Sequence, residues 1–219
     1  MDIDELKNRY KGSRVSNYDE KRANTPHWKA ESAAVEKFLS RFKGLQVLDV
    51  PVGTGRFMAL YASFAMTVVG LDSSAEMLAA ARAKAGQYGT KIKLLETANA
   101  LKLDPVRYAA DVAVVVRFMN WLDPEHAELA LSNIVRASPC VIVGIRAVDI
   151  DAVSPEHRAL QLERIQTERN SPKGTKVNYL HMKSEVNGWF ATTGVSVVDM
   201  VEIQLGGRGA NSVMYLLSR

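Results

Sequence analysis

The chain has 219 residues, 47% of them hydrophobic, with 28 Lys plus Arg against 24 Asp plus Glu and a formal net charge of +4. That length and apolar fraction suit one domain with a real core and exclude general disorder, and 14 Gly with 7 Pro exclude a low-complexity or fibrous protein. The lone Cys140 excludes an internal disulfide and a Cys-based zinc site, and the longest charge-free run, Phe57 to Leu71, is too short and too polar for a membrane span.

The first residues, Met1-Asp2-Ile3-Asp4-Glu5, are acidic where a secretory leader would be basic, so a cytoplasmic protein is expected. Residues 1–43 hold ten Lys or Arg and seven Asp or Glu, which reads as a solvated amphipathic segment. No basic run interleaved with aromatics points to a nucleic-acid partner. Trp28, Ser32, Val35, Leu39 and Phe42 fall at steps of three and four and predict a helix. Leu45 to Val50 is a short apolar strand ending at Pro51, followed by a helix through Phe57, Leu60, Tyr61 and Phe64. Thr67 to Leu71 is a second strand ending at Asp72, and Ser73 or Ser74 can cap the next helix, which carries Met77, Leu78 and Ala81. Ile92, Leu94 and Leu95 mark strand three, and Asp111 to Val116 a fourth that is apolar on both faces. Asp123-Pro124-Glu125 opens a helix through Leu129, Ile134 and Val135, and Cys140 to Ile145 is strand five.

Strand–helix alternation of this kind predicts a Rossmann-like α/β domain, a mostly parallel sheet with helices on both faces. Beyond strand five, residues 154–169 and Ser184 to Thr193 read as helices, and Val195 to Gln204 and Ser212 to Ser218 as strands joined by a Gly206-Gly207-Arg208-Gly209 turn region. Two strands joined by a short loop must be antiparallel, so the sheet ends in a C-terminal hairpin.

The most informative stretch is Asp49-Val50-Pro51-Val52-Gly53-Thr54-Gly55-Arg56, where a strand runs through two glycines into a helix. In a doubly wound sheet that turn lies at the ligand-collecting edge, and the acid ending the next strand, Asp72, could accept hydrogen bonds from both hydroxyls of a ribose. With Gly70-Leu71-Asp72-Ser73-Ser74, Ala98-Asn99-Ala100-Leu101 and Val116-Arg117-Phe118-Met119-Asn120-Trp121, the sequence resembles the class I S-adenosylmethionine-dependent methyltransferases over residues 45–146. Pro51 stands where that family's first loop glycine is usual, Asn99 replaces its usual aspartate, and Asn120-Trp121 replaces a common His-His pair.

The resemblance implies a seven-stranded sheet, S-adenosyl-L-methionine as cofactor, S-adenosyl-L-homocysteine as product and no metal. It implies that Asp49 orients the methionine part of the cofactor. Pro51, Gly53, Thr54, Gly55 and Arg56 form the loop around it, and Asp72 holds the ribose. Ser73 and Met77 would line the adenine, Asn99 and Ala100 read its edge, and Arg117 with Phe118 complete the site, the Arg117 carbonyl taking the ammonium group. Residues 1–43 would be a lid, 44–146 the cofactor-binding core, 147–183 a substrate-cap insertion and 184–219 the last helix and hairpin of one domain.

A sulfonium already carries a good leaving group, so catalysis is mainly alignment of nucleophile, methyl carbon and sulfur. A base is needed only when the acceptor is protonated at neutral pH. His181 is the general-base candidate, since an ordinary histidine titrates nearest neutrality. Arg146 ends strand five as a further catalytic candidate, and Tyr18, Arg22 and Trp28 come from the lid. Arg22 and Arg146 could clamp either an anionic acceptor or the cofactor's own carboxylate. His27, His126 and His157 share no metal-ligand spacing. The acceptor expected is a small molecule with an oxygen or nitrogen nucleophile. Two rivals stay open: a non-catalytic adenosylmethionine-binding protein on the same fold, and an NAD-dependent oxidoreductase, which would want a small residue where Met58 stands.

Overall fold

The computed structural model describes residues 15, 17–172, 178–204 and 210–219. In chain order the elements are α1 (Glu20–Ala23), α2 (Pro26–Leu39), β1 (Gln46–Asp49), α3 (Met58–Ser63), β2 (Thr67–Asp72), α4 (Ala75–Tyr88), β3 (Lys91–Thr97) and β4 (Val112–Val115). There follow α5 (Pro124–Ala137), β5 (Cys140–Val148), α6 (Pro155–Arg169), β6 (His181–Met182), α7 (Lys183–Thr193), β7 (Ser196–Gln204) and β8 (Ala210–Ser218).

Side-chain caps fix the helix starts. Thr25 accepts from the Trp28 amide, Ser74 from Met77, Asp123 from His126 and Ser154 from His157. Each fills one of the amide valences a helix N-terminus leaves open, and Pro26, Pro124 and Pro155 occupy first positions where no amide is needed.

The strands run in the order β3-β2-β1-β4-β5-β8-β7. Neighbours from β3 to β5 are parallel, while β8 lies antiparallel between β5 and β7. The terminal hairpin expected from the sequence is therefore present, with the hairpin's second strand inside and its first at the edge. The connecting Gly206-Gly207-Arg208-Gly209 turn lies outside the described residues, as do the first fourteen. The sheet has eight strands where seven were expected, because β6, two residues long, pairs with the end of β5 through Ala147↔His181 and Val148↔Met182. Strand β5 also runs three residues past Ile145, since β8 pairs with it from Cys140↔Ser218 to Val148↔Ala210.

Alternation along the strands separates two cores. Leu48, Val69, Val115 and Val143 cluster with Leu131 and Ile134 of α5 and Trp189 and Phe190 of α7. Val47, Val68, Val114 and Ile142 cluster with Val35 and Phe38 of α2, Met58 and Tyr61 of α3 and Leu78 of α4. Burial on both faces is what a parallel sheet requires. The chain leaves β3 at one edge and returns beside β1 as β4, so the strand order reverses between β1 and β4 and opens a crevice at their C-terminal ends. No described helix is long and apolar enough to cross a membrane.

Candidate active site

The loop after β1 is pinned to the sheet at two points, the Val50 amide donating to the Val114 carbonyl and the Val52 amide to Leu71. Between them the Val50–Pro51 peptide is cis. The two glycines serve different ends. Gly55 has φ +77°, and a Cβ there would stand 2.9 Å from the Ala81 backbone, so its bareness lets α4 pack against the loop. Gly53 has φ +55°, and a Cβ there would meet nothing within 4 Å, so this glycine is the one that borders open space.

A cleft lies over this loop, lined by Asp49, Pro51, Gly53, Thr54, Arg56, Asp72, Ser73, Met77, Arg117 and Phe118, which are predicted cofactor residues, and covered by Tyr18 and Trp28. Asp72 accepts from the Gly53 amide at 3.0 Å and the Ser74 amide at 2.8 Å, so one carboxylate ties the loop to the start of α4. The Ser73 amide bears on the same carboxylate, so of its four lone-pair directions one stays open. Burial raises its pKa against those hydrogen bonds. Asp49 is deeper still: the Tyr61 hydroxyl donates to it at 2.9 Å, and burial pushes its carboxyl up to about 8, with the Asp72 charge adding to the rise.

The N-terminal segment covering the cleft is anchored by a buried ion cluster that sequence reasoning missed. Glu31 of α2 is 3% exposed and faces two guanidinium groups and an imidazole: Arg56 Nη1 at 2.8 Å, Arg117 Nε at 2.7 Å and His27 Nε2 at 2.9 Å. Burial alone would raise the Glu31 pKa, yet the His27 hydrogen bond and the Arg117 and Arg56 charges bring it down to about 2. Arg56 also donates to the Trp28 carbonyl and to Ser32, and its guanidinium lies 3.6 Å from the centre of the Trp28 ring. Arg117 approaches the same ring at 4.8 Å, from a backbone held at φ +58°. On the other flank Thr54 donates to Asp19 at 2.7 Å, and Lys84 pairs with the same carboxylate. The His27–Glu31 spacing of four on a helix was the available signal; its arginine partners come from two distant loops.

Two expectations need correction. Asn99 and Ala100 do not line the cleft: the Asn99 side chain accepts from the Leu101 amide at 3.0 Å and caps a 3₁₀ turn, Ala100–Lys102. His181 is not placed as a base. It is fully buried in β6, its Nε2 sits 3.2 Å from the Met119 carbonyl, its ring meets Trp189 edge-on at 4.8 Å, and burial lowers its pKa. Arg56 lines the cleft, and its guanidinium donors go to Glu31, Ser32 and the Trp28 carbonyl.

A second cavity of about 400 Å³ adjoins the cleft, sharing Tyr18, Arg117 and Trp121 with it. It brings together the lid residues Tyr18 and Arg22, His27, Glu31, Asn120 and the strand residue Arg146. Asn120 builds its floor by accepting from the Arg146 amide and donating to the Arg146 and Tyr179 carbonyls, each at 2.7 Å. Among the described residues, no group of three or more His, Cys, Asp or Glu is placed to hold a metal ion.

A family model described as a methyltransferase domain matches residues 47–138, the stretch from β1 through α5 that carries the loop, Asp72 and Arg117. Residues 47–138 thus match a methyltransferase domain. It resembles a phosphatidylethanolamine N-methyltransferase from Cereibacter sphaeroides, at 33% identity over 103 residues, 46% of this chain; the alignment spans about half (50%) of that curated relative. The same fold occurs in a magnesium protoporphyrin IX methyltransferase from Synechocystis, solved with S-adenosylhomocysteine bound (TM-score 0.65, 17% identity, 99% of this chain and 94% of the other). It occurs also in an S-adenosylmethionine-dependent methyltransferase from Clostridium acetobutylicum (TM-score 0.66, 14% identity, 93% and 96%).

Proposed function

We propose that the chain is an enzyme that transfers the methyl group of S-adenosylmethionine to an oxygen or nitrogen of a small-molecule acceptor. The observation that carries this reading is the single cleft in which Asp49, the bare face of Gly53 and Asp72 meet, opening into a separate cavity roofed by the lid. The residues fit the cofactor chemically. Asp49 keeps one oxygen with no partner among the described residues for an ammonium group, and Asp72 keeps a lone-pair direction for a ribose hydroxyl beside its backbone donors. Tyr18, Trp28, Phe57, Phe118 and Trp121 give the cleft aromatic walls, which favour a cation. S-adenosylmethionine, when bound, supplies a methyl group on a sulfonium that departs as a neutral thioether.

The chain's own contribution is placement and exclusion of water. Thr54 and Arg56 hold the lid down on the loop through Asp19 and Glu31, and Asn120 fixes the end of β5 against the segment after β4. Such alignment can supply roughly 7–11 kcal/mol of the barrier. The compounds named for the relative and for the solved neighbour, phosphatidylethanolamine and magnesium protoporphyrin IX, are both small molecules, which supports that acceptor class here.

The test is to incubate the protein with S-adenosylmethionine and fractionated metabolites and to follow S-adenosylhomocysteine release. Cofactor-dependent release together with a mass gain of one methylene in a small molecule is expected. Cofactor binding with no turnover in any fraction would favour the non-catalytic alternative.

A further inference from the structure

The acceptor-side cavity has an unbalanced charge. Among the described residues its lining holds three guanidinium groups, Arg22, Arg117 and Arg146, and one carboxylate, Glu31. That carboxylate is already committed to His27, Arg56 and Arg117. Arg146 donates one hydrogen bond, to the Asn178 carbonyl at 2.7 Å, and its buried Nε has no partner among the described residues. Arg22 donates to the Tyr18 carbonyl at 2.9 Å and stacks 4.0 Å from that ring's centre. Neither pairs with a described carboxylate. Glu168 is the carboxylate whose charge reaches Arg146, and it is committed to Arg164 and to the Leu180 amide, while the Arg164 charge opposes that of Arg146. A guanidinium does not shed its proton in a protein, so its partial burial with no directly paired carboxylate leaves a cost that a bound anion would relieve. Its planar fork of donors matches oxyanions in particular.

We propose that the methyl acceptor carries an oxyanion group, a carboxylate or a phosphate ester, held in this cavity by Arg146 and Arg22. The word acceptor rests on the methyl-transfer reading above; the anion preference of the cavity does not. The cofactor's own carboxylate is the competing source of negative charge. Position argues against it, because Arg22 and Arg146 line the second cavity and neither lines the cofactor cleft. The cavity's histidine, His27, sets Nε2 against Glu31, and its buried Nδ1 has no partner among the described residues.

Benzoate, phenyl phosphate and benzamide, three probes of one size, are titrated into the full chain with and without S-adenosylhomocysteine. Binding is read by tryptophan fluorescence, since Trp121 lines the cavity. At least one anion should bind about tenfold or more tighter than the amide, as charge-assisted hydrogen bonds imply. Arg146→Gln should abolish that preference and leave S-adenosylhomocysteine affinity within about twofold of wild type. Should Arg146→Gln misfold, Arg22→Gln, on the lid outside the sheet, provides the same comparison. Preference for benzoate over phenyl phosphate assigns a carboxylate, and the reverse a phosphate ester. Equal binding of all three probes, or binding of none, overturns the proposal. So does a parallel loss of S-adenosylhomocysteine affinity in Arg146→Gln, which would move the guanidinium to the cofactor. Wild-type protein that ignores S-adenosylhomocysteine yet prefers the anions would strike the methyl-transfer reading alone.

Discussion

Asp49 shows how a functional group is held at the expense of stability. Its carboxyl stands near 8 in the folded protein against an ordinary 3.8. A pKa raised by folding stabilises the native state at low pH and loses that contribution as pH climbs, so this residue's share declines between about 4 and 8. Asp49→Asn keeps an acceptor for the Tyr61 hydroxyl and removes the titration. The variant should therefore melt above wild type at about pH 8, and the gap should close at about pH 4. An ammonium-bearing ligand draws Asp49 into its charged form, so S-adenosylhomocysteine affinity should rise from about pH 6 to 8 in wild type and stay flat in Asp49→Asn, by calorimetry. His181 belongs to the same scale with the opposite outcome. Its ring fills space against Trp189, so His181→Ala should lower thermal stability by about 2–3 kcal/mol with kcat retained at fixed folded fraction.

At the scale of elements, helix α2 is a unit whose polar attachment passes through one carboxylate. Glu31→Gln leaves Arg56 and Arg117 without their counter-charge, and removing one partner of a buried pair costs about 3–5 kcal/mol. A drop in melting temperature and faster proteolysis within residues 15–40 are expected; unchanged cleavage would show that apolar packing alone seats α2. The glycine loop gives a sharper comparison. Gly55→Ala meets both the φ +77° penalty and Ala81 at 2.9 Å, about 2–4 kcal/mol together, whereas Gly53→Ala meets only the backbone penalty of about 1–2 kcal/mol. Denaturant titration should rank the two in that order.

These elements also show what a linear reading can reach. Ser74, Asp123 with Pro124, the acid closing β2 and the loop after β1 were legible because caps, turns and strand ends are set by neighbours in sequence. The Glu31 cluster was not, because its two arginines lie 25 and 86 residues away and meet it only when α2 docks. His181 was misread for a related reason. A histidine before a helix is exposed by default, and only the pairing of β6 with β5 buries it. Asn99 was assigned by resemblance to a ligand, while its short side chain satisfied the nearest open amide.

For the whole molecule, the sheet order places three independent loops at one crevice: that after β1, the turn between β2 and α4, and the segment after β4. The same order inserts β8 between β5 and β7, so the C-terminal strand buttresses Arg146 through Ser212. A ligand joining those loops binds the native state only, so saturating it at about a hundred times its Kd should add about 2.7 kcal/mol of stability. At about 2–4 °C per kcal/mol for a chain of this size, the melting temperature should rise by about 5–10 °C.

Isothermal calorimetry of the full chain with S-adenosylhomocysteine, run beside Asp72→Ala and beside NAD, is the most direct measurement of the nucleoside site. One molecule bound per wild-type chain, affinity about tenfold or more weaker in Asp72→Ala, and no heat with NAD are the predicted results. Equal affinity in the two proteins, or NAD binding the more tightly, would contradict the assignment of this crevice.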